Sequence, residues 1–180
     1  MAAAYTLYAK PGFAATTIER LCSEARISNR AFYECFGGRE ELLQALHEQC
    51  VEESLAVVAK AVQEAPATLD DRVRAGIRAY IEFATGDWRR ARIMHLEVRR
   101  SGDVLTASRQ RAVDSFARLI EEASAEFHPS DLLNRRLVAL GAIGALQELL
   151  IEWLLAEEPP SIDELVGVAV HIFGRVLGES

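Results

Sequence analysis

The sequence predicts an all-α protein, and three observations point there. Apolar residues recur at helical spacing through most of the 180 positions. No segment alternates apolar and polar residues for long enough to suggest a strand. Gly and Pro signals cut the chain into helix-length pieces, and residues 16–43 read as two short helices joined by a tight turn, a helix-turn-helix. The architecture expected is an N-terminal three-helix domain over 1–45 followed by a helical remainder over 46–180.

Residues 1–10 end a first helix at Pro11-Gly12. Thr16 is expected to cap the second, because Thr16-x-x-Glu19 has the spacing at which each side chain satisfies the other residue's exposed amide. Ser28 is the natural cap of a third helix that stops near Phe36, before Gly37-Gly38. The fourth starts at Arg39 or Glu40 and carries an apolar stripe through Leu43, Leu46, Cys50, Leu55, Val58 and Val62. Beyond Pro66, helices are predicted over 70–85, 87–100, 103–127, 130–156 and 161–177. Gly86, Ser101-Gly102, His128-Pro129 and Pro159-Pro160 punctuate them, and Ser161-x-x-Glu164 forms a second capping box.

Half of the residues are hydrophobic, enough for a sizeable core. The apolar tract 137–155 is interrupted by Gln147, Glu148 and Glu152, which favours a buried helix over a membrane span. Cys22, Cys35 and Cys50 are odd in number and lack C-x-x-C spacing, so a disulfide scaffold and a zinc site are both unsupported, and a reducing cytoplasm is the expected compartment. No secretory leader pattern is present at the N-terminus. The net charge of -7 argues against indiscriminate coating of nucleic acid. Placement matters more than total, since four of the five basic residues in 1–50 (Arg20, Arg26, Arg30, Arg39) lie in or beside the helix-turn-helix.

Ile18, Leu21, Ala25, Ile27, Ala31, Phe32 and Phe36 are expected to form the small core that sets the angle between the two helices. Their other faces then point outward. Thr17 offers a hydroxyl at a helix N-terminus, suited to a phosphate. Ser28, Asn29 and Arg30 open the third helix, where side chains of a recognition helix enter the major groove; Asn pairs with adenine and Arg with guanine. Tyr33 shares no face with Phe32 and Phe36, so its hydroxyl is expected on the nucleic-acid side, and Arg39 is placed to reach a phosphate from the next helix. Glu34 can accept from a cytosine amino group.

These residues resemble the tetracycline-repressor (TetR) family of bacterial transcription regulators. The matching pattern is G-F-A-A-T-T-I-x-x-L, A-R-I-S-N-R-A-F-Y-x-x-F and R-E-E-L-L, spanning 11–43. A-R-I-M-H-L-E-V over 91–98 is similar to the family's sixth helix, and E-L-L-I-E-W-L-L before Pro159-Pro160 to its eighth. The resemblance implies a homodimer with two DNA-reading heads (1–45) and an effector-binding, dimerising body (46–180). It implies DNA contacts at Thr17, Ser28, Asn29, Arg30, Tyr33, Glu34, Cys35 and Arg39. The chain departs from the family pattern at three points. Arg26 stands where Gly is usual, at a left-handed backbone position costing about 1 kcal/mol. Cys35 replaces a common His and is the weakest contact candidate. The first helix is about half the family's length, which suggests a sequence record starting inside it.

Gly141 and Gly144 form a smooth strip on a bulky helix flanked by Ile143, Leu150 and Leu154. With Val166 and Phe173 of the last helix they are assigned to a dimer interface, as an intermolecular four-helix bundle; an intrachain hairpin is the alternative. Tyr80, Phe83, Trp88, Met94, His95, Phe116 and Trp153 are the candidates for an apolar effector pocket. His47-Glu48 fails as a zinc-protease motif because Val51 occupies the second His position, and His95, His128 and His171 are scattered, so no metal or cofactor is expected. No phosphate-cradling loop, nucleophile elbow or carboxylate pair argues for an enzyme. The function expected is a ligand-responsive regulator, most simply a repressor, released from palindromic operator DNA by a small molecule. The alternative is a dimeric helical sensor of the same fold that no longer binds DNA.

Overall fold

The computed structural model describes residues 1–125 and 135–178, with side chains through Arg175. The stop expected at His128-Pro129, the adjoining helix ends and His128 itself lie outside the described residues. Among the described residues ten α-helices follow in order: α1 (Ala2–Ala9), α2 (Ile18–Ala25), α3 (Asn29–Cys35), α4 (Arg39–Glu64), α5 (Leu69–Thr85), α6 (Trp88–Arg92), α7 (Val98–Arg100), α8 (Thr106–Ser124), α9 (Arg135–Leu155) and α10 (Ile162–Gly178). A π-helical turn, Ile93–Glu97, joins α6 to α7, and a 3-10 turn, Gly102–Leu105, leads into α8. The helix predicted over 87–100 is therefore broken into three pieces.

Local signals explain several boundaries. The Ser28 hydroxyl accepts from the Ala31 amide at 3.1 Å, as its position predicts. Ser161 and Glu164 close their capping box reciprocally, at 2.9 Å and 3.2 Å. The cap of α2 is Thr17, not Thr16: the Thr17 hydroxyl accepts from the Arg20 amide at 3.2 Å. Thr16 is fully buried and donates to the Gly12 carbonyl at 2.8 Å. A tertiary contact has claimed the residue that local spacing assigned to the cap.

Three apolar clusters hold the described residues together, a small one of them between α8 and α9 around Ala117, Ala139 and Ile143. One joins α1 to α4 in the head through Leu7, Tyr8, Phe13, Leu21, Phe32 and Leu43, and continues into the body at Ile93, Val98 and Leu105. The third lies between α4, α5, α9 and α10, around Val58, Ile81, Leu146, Leu150, Val166 and Phe173. Within the helix-turn-helix, Ala25 and Ile27 are exposed, and buried Cys22 packs where they were expected. Ile27 sits just past the end of α2, where the left-handed turn directs it away from the core.

Helix α9 is long and apolar enough to cross a membrane by length and composition, the one such helix among the described residues. Ala139, Ala142, Ile143, Leu146 and Leu150 are instead buried in the protein. Its outer face keeps Leu137 and Leu155 exposed.

Candidate nucleic-acid interface and ligand cavity

The turn between α2 and α3 is a left-handed stop. Arg26 has φ 55° and ψ 45°, the only positive φ at a non-Gly residue among those described. The Ile27 amide donates to the Cys22 carbonyl at 3.0 Å and the Arg26 amide to Ser23 at 3.3 Å, the paired bonds that close a helix with a left-handed residue. That turn sets α3 at its angle to α2. Ser28, Asn29, Arg30, Tyr33, Glu34 and Cys35 are all exposed as a result, while Phe32 is buried and tilts against Phe36 with ring centroids 5.9 Å apart. Tyr33 is 57% exposed, in keeping with an outward hydroxyl. Arg30 pairs with Glu34 at 3.0 Å, both well exposed. Such a pair is worth about 0.2–1 kcal/mol, so both side chains stay available to a partner.

Arg39 turns to the backbone of the head. Its guanidinium donates to the Thr16 carbonyl, and to that of Phe13 at 3.3 Å, and lies 4.9 Å from the centre of the Phe13 ring. The loop between α1 and α2 presents carbonyls that need donors, and Arg39 supplies them. Here it clamps the loop between α1 and α2. Glu19, expected in a box with Thr16, lies in the first turn of a helix that Thr17 caps. Hydrogen bonds from its own amide and from Thr17 hold its carboxyl below the usual range, so an acid occupies the α2 N-terminus offered to phosphate.

The body holds an elongated, partly open cavity of about 120 Å³ between α4, α5, α8, α9, α10 and the π turn. A single water needs roughly 10–15 Å³ by the same measure. The wall runs along α4 from His47 to Val62, about 22 Å at roughly 1.5 Å per residue. Of the expected pocket residues, Tyr80, Met94, His95 and Phe116 line it. Phe83, Trp88 and Trp153 do not. Phe83 lies under Arg90 at 3.9 Å, Trp88 is 42% exposed, and Trp153 packs on the outside of the main core. Val51, Val58, Val62 and Ile77 were missed as wall residues because stripe positions look alike whether they meet a neighbour or a void. Gly76 lets α5 approach α4: a Cβ there would stand 3.0 Å from a Val62 methyl.

The polar groups of the cavity gather mainly at the end nearer the head. His95 is buried, with its Nε2 3.4 Å from the Tyr80 hydroxyl. His47 Nδ1 lies 3.0 Å from the Ser108 hydroxyl. Burial pushes His47 down to about 4 and His95 to about 3, so both imidazoles are neutral at pH 7.

The π turn that supplies Met94 and His95 to the cavity also supplies Ile93 to the head core and Glu97 to the loop between α1 and α2. Glu97 is 1% exposed and accepts from the Phe13 amide at 2.8 Å, with Arg92 at 3.1 Å and Arg100 at 3.5 Å as counter-charges. Gly12, at φ 90°, makes room: a Cβ there would meet the Glu97 carboxylate at 3.1 Å. Sequence reasoning missed Glu97, since a lone Glu in a helical segment carries no signal of burial.

The candidate dimer residues divide. Ile143, Leu150, Val166 and Phe173 are buried inside the single chain and cannot form its outer face. Helical periodicity turns them toward α5 and α8 instead. Gly141 and Gly144 do face outward, with open space where a Cβ would stand, and Leu154 is half-buried.

Residues 1–46 match the family of bacterial regulatory proteins, tetR family. No curated protein sequence matches the chain. Among solved structures, the fatty acid degradation regulator FadR of Bacillus halodurans is similar in fold, with TM-score 0.84 and 18% identity over 98% of this chain and 92% of that one. FadR of Bacillus subtilis, solved in complex with stearoyl-CoA, gives TM-score 0.84 and 18% identity over 98% and 95%. A tetR-family regulatory protein from Rhodococcus RHA1 gives TM-score 0.73 and 24% identity over 99% and 95%. Residues 1–46 therefore match the N-terminal domain of the tetR family of bacterial regulatory proteins, and the chain as a whole has the fold of these solved structures.

Proposed function

We propose that the chain is a cytoplasmic, ligand-responsive repressor that binds palindromic operator DNA as a homodimer and leaves it when a long-chain acyl ligand fills the body cavity. The observation that carries this reading is the π turn Ile93–Glu97, whose neighbouring residues touch the cavity and the head at once. A ligand that displaces Met94 or His95 must also shift the turn holding Glu97 against the loop before α2. Such coupling requires different affinities of the ligand for the two head arrangements.

The cavity's length and apolar wall suit an unbranched chain, and the similar FadR of Bacillus subtilis was solved with stearoyl-CoA. Base contacts are assigned to Ser28, Asn29 and Arg30, and backbone contacts to Thr17 and Tyr33. The second copy is assigned to the outer strip of α9 and α10, where Leu137, Leu155 and Val168 are exposed and Gly141, Gly144 and Gly167 are unobstructed. Sites selected from random DNA should be palindromic, and stearoyl-CoA should release the protein from them. Recovery of no enriched sequence would overturn the DNA-binding part.

The rival reading is a sensor of the same fold without DNA binding. It is favoured by Arg39 turned inward and by Glu19 at the α2 N-terminus. A weak, salt-insensitive interaction with all DNA would support it.

A further inference from the structure

A shallow groove of about 230 Å³ opens on the surface between α4 and α8, lined by Glu48 and Glu52 on one side and Ser108, Arg111 and Ser115 on the other. Three further residues, His47, Val51 and Ala112, line both this groove and the cavity. The two spaces therefore share a wall. The surface groove between α5 and α10 shares only Val73 with the cavity.

The shared wall is lightly fastened. His47 Nδ1 meets the Ser108 hydroxyl at 3.0 Å, Ser108 donates to Glu48 at 3.3 Å, and Arg111 pairs with Glu48 at 2.5 Å. Glu48 and Arg111 are both about half exposed, and a pair of that kind holds weakly against water. Val51 and the small Ala112 make up the rest of the shared wall.

The chemistry on either side limits what can lie across the wall. Inside, the imidazoles of His47 and His95 are uncharged, and the cation among the lining residues, Arg72, stands at the other end, so a carboxylate brought here would lose its hydration for only the more distant charges of Arg99, Arg109 and Arg111. Outside, two carboxylates face one guanidinium that is already paired, together with two hydroxyls. That surface hydrogen-bonds well and attracts anions poorly.

We propose that the α4/α8 groove is the mouth of the cavity, and that the ligand crosses it at an uncharged ester, thioester or amide link between an inner acyl chain and an outer hydrogen-bonding arm. The acyl chain rests on the function proposed above; the mouth rests on the shared walls and the bridge alone. A free fatty acid fits this arrangement poorly, because its charge would fall at the wall itself.

Stopped-flow association of the full chain with stearoyl-CoA, stearate and the uncharged dye N-phenyl-1-naphthylamine tests this. Ser115→Trp and Glu52→Trp narrow the groove from opposite walls and should each slow stearoyl-CoA and dye association roughly tenfold. Asp70→Trp, on the α5/α10 groove, should leave both rates within about twofold. Arg111→Ala, which loosens the bridge without adding bulk, should speed association. Stearate should bind about tenfold more weakly than stearoyl-CoA. Circular dichroism checks that each variant folds. Wild-type rates in folded Ser115→Trp and Glu52→Trp, or equal slowing by Asp70→Trp, overturn the mouth, and stearate binding as tightly as stearoyl-CoA overturns the uncharged link. Groove-dependent dye rates with no binding of stearoyl-CoA would uphold the mouth and remove the acyl reading.

Discussion

The Glu97 carboxylate accepts the Phe13 amide at 2.8 Å across 84 residues of sequence, joining the π turn beside the ligand cavity to the loop that enters the helix-turn-helix. The carboxylate is buried, and Arg92 and Arg100 balance its charge. Removing it leaves an amide unsatisfied and two guanidinium groups without their partner. Glu97→Ala should therefore destabilise the protein by roughly 3–5 kcal/mol, and Glu97→Gln by less because an acceptor remains. Urea unfolding measures both, and a loss under about 0.5 kcal/mol for the Ala variant would show that the contact is not formed in solution.

Arg26 carries the opposite expectation. A side chain in the left-handed region is strained, and Gly is not. Arg26→Gly should stabilise the head by about 0.5–1 kcal/mol, less the extra freedom that Gly gives the unfolded chain. Gly12→Ala should do the reverse, since φ is 90° there and the new Cβ would crowd Glu97. Thermal melts of the two variants moving in the same direction would contradict this assignment.

Acid should weaken the fold before the carboxylates titrate. His47 and His95 are lowered from 6.5 to about 4 and about 3, chiefly by desolvation, so below pH 6.5 the unfolded chain takes up protons that the folded chain refuses. Their stabilising contribution is complete above pH 6.5 and is lost progressively down to those folded values. For His47 alone the loss is roughly 3 kcal/mol. Glu48 and Asp87 are held low by their arginine partners and add their loss only below about pH 4.5. Urea midpoints measured between pH 7 and 5 should fall in the wild type and fall less in His47→Gln.

On DNA, the two kinds of arginine should separate. Asn29→Ala and Arg30→Ala should each cost about 1–3 kcal/mol on a selected operator and relax the preference for one base. Arg39→Ala should lower the melting temperature while leaving the salt dependence of binding unchanged, because its guanidinium is spent on the Phe13 and Thr16 carbonyls. A shallower salt slope in Arg39→Ala would return it to the phosphate contacts.

What was legible in the sequence was local. Ser28 and the Ser161–Glu164 box follow from residues within a few positions of one another, and so does the outward Tyr33, while the left-handed turn at Arg26 was read from the family resemblance. Thr16 was misplaced because distant backbone claims it, turning it to Gly12 and Leu7, and the bonds of Arg39 to the Phe13 loop could not be read locally either. Glu97 was invisible for the same reason. The apolar stripes of α4, α9 and α10 were recognised as apolar, but periodicity alone does not tell a residue facing a cavity or a second copy from one facing its own core. That is why Val58 and Ile77 were missed while Ile143 and Leu150 were sent to the wrong surface.

The coupling of the two sites is tested most directly by titrating operator-bound protein with stearoyl-CoA, wild type beside Glu97→Gln, and following DNA release by fluorescence anisotropy. If the π turn transmits occupancy, stearoyl-CoA releases the wild type, while Glu97→Gln binds the same ligand with similar affinity yet needs at least about tenfold more of it to leave DNA. Release of both proteins at the same ligand concentration, or wild type that stays on its operator when saturated with ligand, would contradict it.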